Sequence, residues 1–227
     1  MQSSDLLLYA VTDRRWLGGR TLTEVVRESL EGGVTFVQLR EKNLHEAAFL
    51  EEARQLQSLC RLYHVPFVVN DNVEIAAAMQ ADGVHVGQND MSAKEVRRIL
   101  GEKAIVGVSA QTVEQALAAE RDGADYLGVG AVFATGSKDD ADSVSFATLQ
   151  AICRAVSIPV IAIGGITAEN AGTLRGSGIC GVAVISAIYA DSDIRGAASR
   201  LKETVKAMLD DTKEDACHEN CINNCRE

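Results

Sequence analysis

Eight times along this chain a short apolar run is followed by a stretch with the spacing of an amphipathic helix. The runs fall at 6–11, 35–38, 67–69, 83–86, 105–108, 126–129, 160–163 and 181–185. The helical patterns follow at 21–31, 45–63, 73–80, 92–100, 112–122, 145–156, 169–175 and 194–208. Short strands that alternate with helices pair in parallel, because each crossover helix returns the chain to the same end of the sheet. Eight such units in about 210 residues predict a closed (β/α)8 TIM barrel, with an open doubly wound sheet as the alternative, since open sheets of this kind usually carry fewer strands. A faint internal repeat agrees with the barrel. At 33–37, 81–86, 123–127 and 178–184 a glycine stands between a helix end and a β-rich run, where it closes the helix without a Cβ penalty.

A chain of 227 residues with 47% hydrophobic content is long enough for one well-buried core. The expected organisation is a barrel over residues 1–208 and a polar, cysteine-containing tail over 209–227. A net charge of −10 repels nucleic acid and anionic membranes over most of the surface, so neither is an expected partner. An anionic ligand would need cations gathered locally. No run of about 18 apolar residues is present and residues 1–5 are too short and polar for a signal peptide, so a cytoplasmic location is expected. Cys60, Cys153 and Cys180 lie singly in apolar surroundings, as buried reduced thiols do.

In a barrel, ligand chemistry belongs to the loops that follow the strands. Residues 36–42, Phe-Val-Gln-Leu-Arg-Glu-Lys, turn within a few positions from apolar to cationic, and strand alternation puts Gln38, Arg40 and Lys42 on one face with Val37 and Leu39 on the other. Asn70 and Asp71 follow the third strand, Asp90 the fourth, and Ser109 ends the fifth. Two carboxylates from adjacent strand ends, with no cysteine or paired histidine near, make an oxygen-only site suited to Mg2+. The alternative is that Asp71 and Asp90 cap the helices that begin next to them. After strands seven and eight come Gly164-Gly165-Ile166 and Ile185-Ser186, glycine and helix-start chemistry suited to a phosphate. Residues 131–144 interrupt the pattern after strand six and bring Thr135, Gly136, Ser137 and Lys138 together, equipment for a flap over phosphate oxygens or simply a solvated loop. His85 reads as a core residue and His45 and His64 as helix-surface positions, none with an assigned role.

In this order the segments Gln38-Leu39-Arg40-Glu41-Lys42, Asn70-Asp71, residues 83–88 with Asp90, Gly107-Val108-Ser109, Thr135-Gly136-Ser137-Lys138, Gly164-Gly165-Ile166 and Ile185-Ser186 strongly resemble the thiamin phosphate synthase family. The resemblance runs from about residue 6 to 208. It implies a transferase that joins a hydroxymethylpyrimidine diphosphate to a hydroxyethylthiazole phosphate and releases pyrophosphate. By similarity Gln38, Leu39, Arg40, Glu41, Lys42, Asn70, Ser109 and Lys138 hold the pyrimidine diphosphate, with Arg40, Lys42, Ser109 and Lys138 serving the chemistry. Asp71 and Asp90 would bind Mg2+, and Thr135, Gly136, Ser137, Gly165, Ile185 and Ser186 would hold the thiazole phosphate. Ser137 stands where a second threonine is common, and Ala131 and Ala134 replace prolines often found in that loop. The tail lies outside the resemblance; Cys217, Cys221 and Cys225 with His218 could form a Cys3His metal site, but its polar, acidic composition favours a mobile appendage. A thiazole tautomerase of the same family and a non-catalytic phosphate sensor are the rival readings. Oligomeric state stays open, a homo-oligomer included.

Overall fold

The computed structural model describes residues 1–41, 44–134 and 143–224, and of 211–224 the backbone alone. Eight parallel strands close into a barrel: β1 Leu8–Val11, β2 Phe36–Leu39, β3 Phe67–Asn70, β4 Gly83–Val86, β5 Ile105–Ala110, β6 Tyr126–Val129, β7 Val160–Ile163 and β8 Gly181–Val184. β1 pairs with β8 through Leu8↔Val182 and with β2 through Tyr9↔Phe36, which leaves no sheet edge. Strands β2, β4, β6 and β8 are buried along their whole length, which is why they read as near-continuous apolar runs rather than alternating ones.

The helices are α1 Leu22–Glu31, α2 Glu46–Leu62, α3 Val73–Met79, α4 Ala93–Leu100, α5 Val113–Arg121, α6 Phe146–Ala155, α7 Ser186–Tyr189 and α8 Ile194–Asn224. Their starts are written locally. Thr21 accepts a hydrogen bond from the Glu24 amide while the Glu24 carboxylate reaches back to Thr21, and Ser92 and Glu95 do the same for α4. Two layers of core result. Val37, Leu39, Val69, Val84, Leu127 and Val182 point outward against the helices, whereas Tyr9, Phe36, Val68, Tyr126 and Ile161 fill the barrel.

Three expectations change. The first apolar run splits: Leu6 belongs to a 3-10 turn, Ser3–Leu6, and is fully buried in the interior cluster, so it plugs the N-terminal end of the barrel. The unit after β7 has no α-helix where 169–175 predicted one, only a 3-10 turn at Ala171–Leu174. Asn170 explains this, because its side chain accepts from the Thr167 amide and donates to the Gly165 carbonyl, a side-chain-closed turn that competes with helix. Last, α8 runs on to Asn224 instead of stopping near 208. Ile194, Ala198, Leu201, Val205 and Met208 give it a buried stripe against α1 and the 3-10 turn. Gly32 permits the approach, since a Cβ there would overlap the Arg195 carbonyl oxygen and stand 2.7 Å from Ala198 Cβ.

Cys60 is buried, Cys153 and Cys180 are half-buried, and all three are free thiols. Burial, helped by the Asp82 charge, pushes the Cys60 thiol up to about 12, which leaves it inert at neutral pH. No helix among the described residues is long and apolar enough to cross a membrane.

Candidate active site

The C-terminal ends of the strands bring Gln38, Arg40, Asn70, Asp71, Asp90 and Ser109 onto one rim. Gln38 is buried inside the barrel mouth, while Val37 and Leu39 face the helix layer, so the alternation expected of this strand holds for these three residues. The Leu39 side chain is fully buried in that layer, and what it can offer a ligand is backbone. Arg40 is set by the end of the neighbouring strand: its amide donates to Thr12 Oγ1 at 3.0 Å, and its guanidinium lies 3.5 Å from Asp13. Burial pushes the Asp13 carboxyl up, but hydrogen bonds from Arg15 and the charges of Arg15 and Arg40 outweigh it and hold Asp13 below the usual carboxylate range. Thr12 and Asp13 therefore belong to the site's framework. In the sequence they are only the two polar residues after the first apolar run. Glu41 turns aside to pair with Arg14, which also reaches Glu52, and its side chain is almost fully buried there. Lys42 lies outside the described residues.

Across β3 and β4 the carboxylates are not helix caps. The cap of α3 is Asn72, whose side chain accepts from the Ile75 amide at 2.9 Å, and the cap of α4 is Ser92. Asp71 instead sits in the left-handed region, φ +61°, with its amide donated to the His85 carbonyl at 2.8 Å and its carboxylate accepting from the Asn70 side chain. Asp90 accepts the Gly87 amide on one oxygen at 2.8 Å. Both residues are exposed at the rim. Hard oxygen donors in a mouth open to water fit a cation that keeps water and phosphate in its shell. Among the described residues no cluster of three or more His, Cys, Asp or Glu that could hold a metal ion is present.

Opposite these, Gly164 and Gly165 follow β7 with φ values of +92° and +64°, conformations that glycine adopts freely. Asn170 holds the Gly165 carbonyl at 2.9 Å. Ile185 and Ser186 open α7 after β8, where the first amides of a helix have no intrahelical acceptor. The long loop after β6 is tied to this corner at both ends. The Val132 amide donates to Ile163, Phe133 to Gly164, and Val144 to Ala131. Thr135, Gly136, Ser137 and Lys138 lie outside the described residues.

Beneath the rim runs a polar thread that the sequence did not reveal. Gln38 Nε2 donates to Tyr9 Oη at 2.7 Å, Tyr9 Oη lies 2.9 Å from Tyr126 Oη, Tyr126 Oη 3.0 Å from His85 Nδ1, and His85 Nε2 2.9 Å from Ser109 Oγ. Ser109 is held a second time, through its carbonyl, by Gln88 Nε2 at 2.7 Å. His85 is thus buried as expected, but on the inner face and bonded at both ring nitrogens.

Comparison with known proteins decides the family. The model of the thiamine monophosphate synthase family matches residues 8–188, the span that carries all eight strands. The chain belongs to that family. Among its relatives, the thiamine-phosphate synthase of Clostridium tetani is 50% identical over 197 residues, covering 87% of this chain and 94% of the relative. That of Ruminiclostridium cellulolyticum is 49% identical over 199 residues, 88% and 95% of the two chains. The solved structure of the Pyrococcus furiosus thiamine phosphate pyrophosphorylase superposes with a TM-score of 0.84 at 42% identity, covering 91% of this chain and 98% of that one. The rim described above lies within the matched span.

Proposed function

We propose that the rim joins a 4-amino-2-methyl-5-hydroxymethylpyrimidine diphosphate to a hydroxyethylthiazole phosphate, forming thiamin phosphate and pyrophosphate. One observation carries this reading: the rim is bipartite. Arg40, Asn70, Asp71, Asp90 and Ser109 occupy the ends of β2 to β5, and the Gly164-Gly165 and Ile185-Ser186 turns occupy the ends of β7 and β8. Two differently built halves, one cationic and carboxylate-bearing and one of backbone amides, suit a diphosphate and a monophosphate held at the same time.

The reaction asks little acid–base work of the protein. The methylene carbon–oxygen bond breaks with its electron pair going to pyrophosphate, the aminopyrimidine ring spreads the resulting positive charge, and the thiazole nitrogen lone pair forms the new carbon–nitrogen bond. Arg40 places charge against the departing oxygens, and Lys42 and Lys138 would add to it. Ser109 and Asn70 offer short polar contacts beside it. Asp71 and Asp90 are the residues that would hold Mg2+. Bound there, the metal would supply charge neutralisation of the leaving pyrophosphate. The two walls then hold the rings face to face, which turns the second step into an encounter within one site. Incubating the purified chain with both substrates, and following thiamin phosphate and pyrophosphate in equal amounts, tests the reading. Substrate turnover to any other product, or none, rejects it.

Two further results are expected. Gly165→Ala places a Cβ against the Ala134 carbonyl oxygen and 2.9 Å from Phe133 Cβ, in a left-handed conformation. Strain of about 1–2 kcal/mol and displacement of that loop stem should raise KM for the thiazole phosphate roughly tenfold, with a much smaller change for the diphosphate. Initial rates with each substrate varied in turn measure the split. Truncation after Asp210 should leave kcat and both KM values unchanged, because Ile194, Ala198, Leu201, Val205 and Met208, with Leu209 packed beside them, all stay in the shortened chain and dock α8 on the barrel. Melting should move by no more than about 2–4 °C. Loss of turnover in a truncated chain that melts normally would give the tail a part in the site.

A further inference from the structure

We infer that the polar thread inside the barrel is a one-way hydrogen-bond relay, running Gln38 to Tyr9 to Tyr126 to His85 to Ser109, that aims the Ser109 hydroxyl hydrogen at bound substrate. This rests on the reading above, in which Gln38 and Ser109 touch the pyrimidine diphosphate. Tyr9, Tyr126 and His85 are positioning residues for it.

The direction follows from counting hydrogens. Gln38 Nε2 can only donate, so Tyr9 Oη accepts there and must spend its single hydrogen on Tyr126 Oη, 2.9 Å away. Tyr126 in turn has its hydrogen left for His85 Nδ1 at 3.0 Å. A ring nitrogen that accepts carries no hydrogen, so neutral His85 holds its hydrogen on Nε2 and donates it to Ser109 Oγ at 2.9 Å. Ser109 has then filled an acceptor position and keeps its own hydrogen free to donate outward. Burial pushes both phenols far above the usual tyrosine range, so each keeps the one hydrogen this ordering needs.

The molecule makes room for the thread in a way simple packing does not require. The surroundings are Leu6, Phe36, Val68 and Ile161, among which an unmatched hydroxyl or imidazole is costly. The five members come from five strands, so no local turn explains them. Gly107 lies directly under the Tyr126–His85 contact: a Cβ there would overlap Tyr126 Cζ and stand 2.5 Å from His85 Nδ1. At Gly128 a Cβ would stand 3.2 Å from His85 Cε1. Two residues of one ligand site, on β2 and β5, are thus coupled through the barrel, and the donor state of Ser109 depends on groups that never meet the ligand.

The opposite direction is the alternative the experiment must exclude. If the Gln38 amide were turned over, its oxygen would accept from Tyr9, every bond would reverse, His85 would carry its hydrogen on Nδ1, and Ser109 could only accept. Nitrogen NMR of the full-length protein labelled in its histidine rings, with His85 assigned by its loss in His85→Gln, reads the tautomer. The relay requires Nε2 protonated and Nδ1 bare, and Tyr126→Phe should convert this to a mixture. In the coupled-substrate assay Tyr126→Phe should lower kcat about tenfold with little change in KM for the diphosphate. In a Ser109→Ala background the same substitution should lower it no further, because its effect travels through the hydroxyl. His85→Gln, which can still accept and donate, should retain more rate than His85→Leu. A bare Nε2 in the parent protein, an unchanged kcat in Tyr126→Phe, or an equal loss with and without Ser109 overturns the relay. Should Tyr126→Phe fail to fold, the parent spectrum still decides. If the parent makes no thiamin phosphate, the functional reading fails while the tautomer measurement stands.

Discussion

Replacing Arg40 with alanine should lower kcat/KM for the pyrimidine diphosphate by about a hundredfold or more, while the protein stays folded. Activity falls because the guanidinium is a strand-end cation of an otherwise acidic protein, and a departing diphosphate develops charge where that cation stands. The fold survives because Asp13 is not abandoned. Arg15 keeps its own bonds to that carboxylate, from its amide at 2.9 Å and its guanidinium at 2.8 Å, so the substitution leaves no buried charge unpaired. Arg40→Lys should recover only part of the rate, since an ammonium cannot contact Asp13 and the ligand with the spread of a planar fork. Asp13→Asn should sit between, loosening Arg40 without removing it. Steady-state rates with the diphosphate varied, beside a melting curve for each variant, make the comparison. Parent-like kinetics for Arg40→Ala would remove this residue from the diphosphate site.

The strands were legible because burial on both faces leaves a run such as 126–129 or 181–184 nothing but apolar and small residues to use. Helix starts were legible where a cap is a one-residue decision, as at Thr21 and Ser92. What could not be read depends on partners far apart in the chain. Glu41 looks like part of a binding motif until Arg14 and Glu52 meet it. His85 looks like core until Tyr126 and Ser109 are found on either side of its ring. The 3-10 turn after β7 hides because Asn170 overrides a plausible helical pattern through contacts to Thr167 and Gly165. Residues 211–224 continue α8 although their sequence offers almost no apolar stripe, so periodicity gave no warning of helix there.

The same limit applied to the two carboxylates, and there the structure changes the weight of the alternatives. An aspartate just before a helix is more often a cap than a ligand, yet Asn72 and Ser92 perform the capping and leave Asp71 and Asp90 with no helix to close. Asparagine is therefore a clean probe at both positions. At 71 it accepts the left-handed backbone as readily as aspartate does, and at 90 its amide oxygen can still accept from Gly87. Each change should cost less than about 1 kcal/mol of stability. Its effect on metal use should be far larger, because a two-carboxylate site leaves the rest of an octahedral shell to water and substrate, and losing one of two anionic ligands weakens it severely. Asp71→Asn and Asp90→Asn should each raise the Mg2+ concentration for half-maximal rate roughly tenfold or more, the equivalent of at least about 1.4 kcal/mol. Raising the diphosphate concentration should partly offset the shift, since metal and substrate complete one shell between them. Magnesium titrations of initial rate at low and high diphosphate separate the possibilities. Curves that coincide with the parent's would mean that both carboxylates serve only the turns that carry them, and that any metal is held elsewhere on the rim.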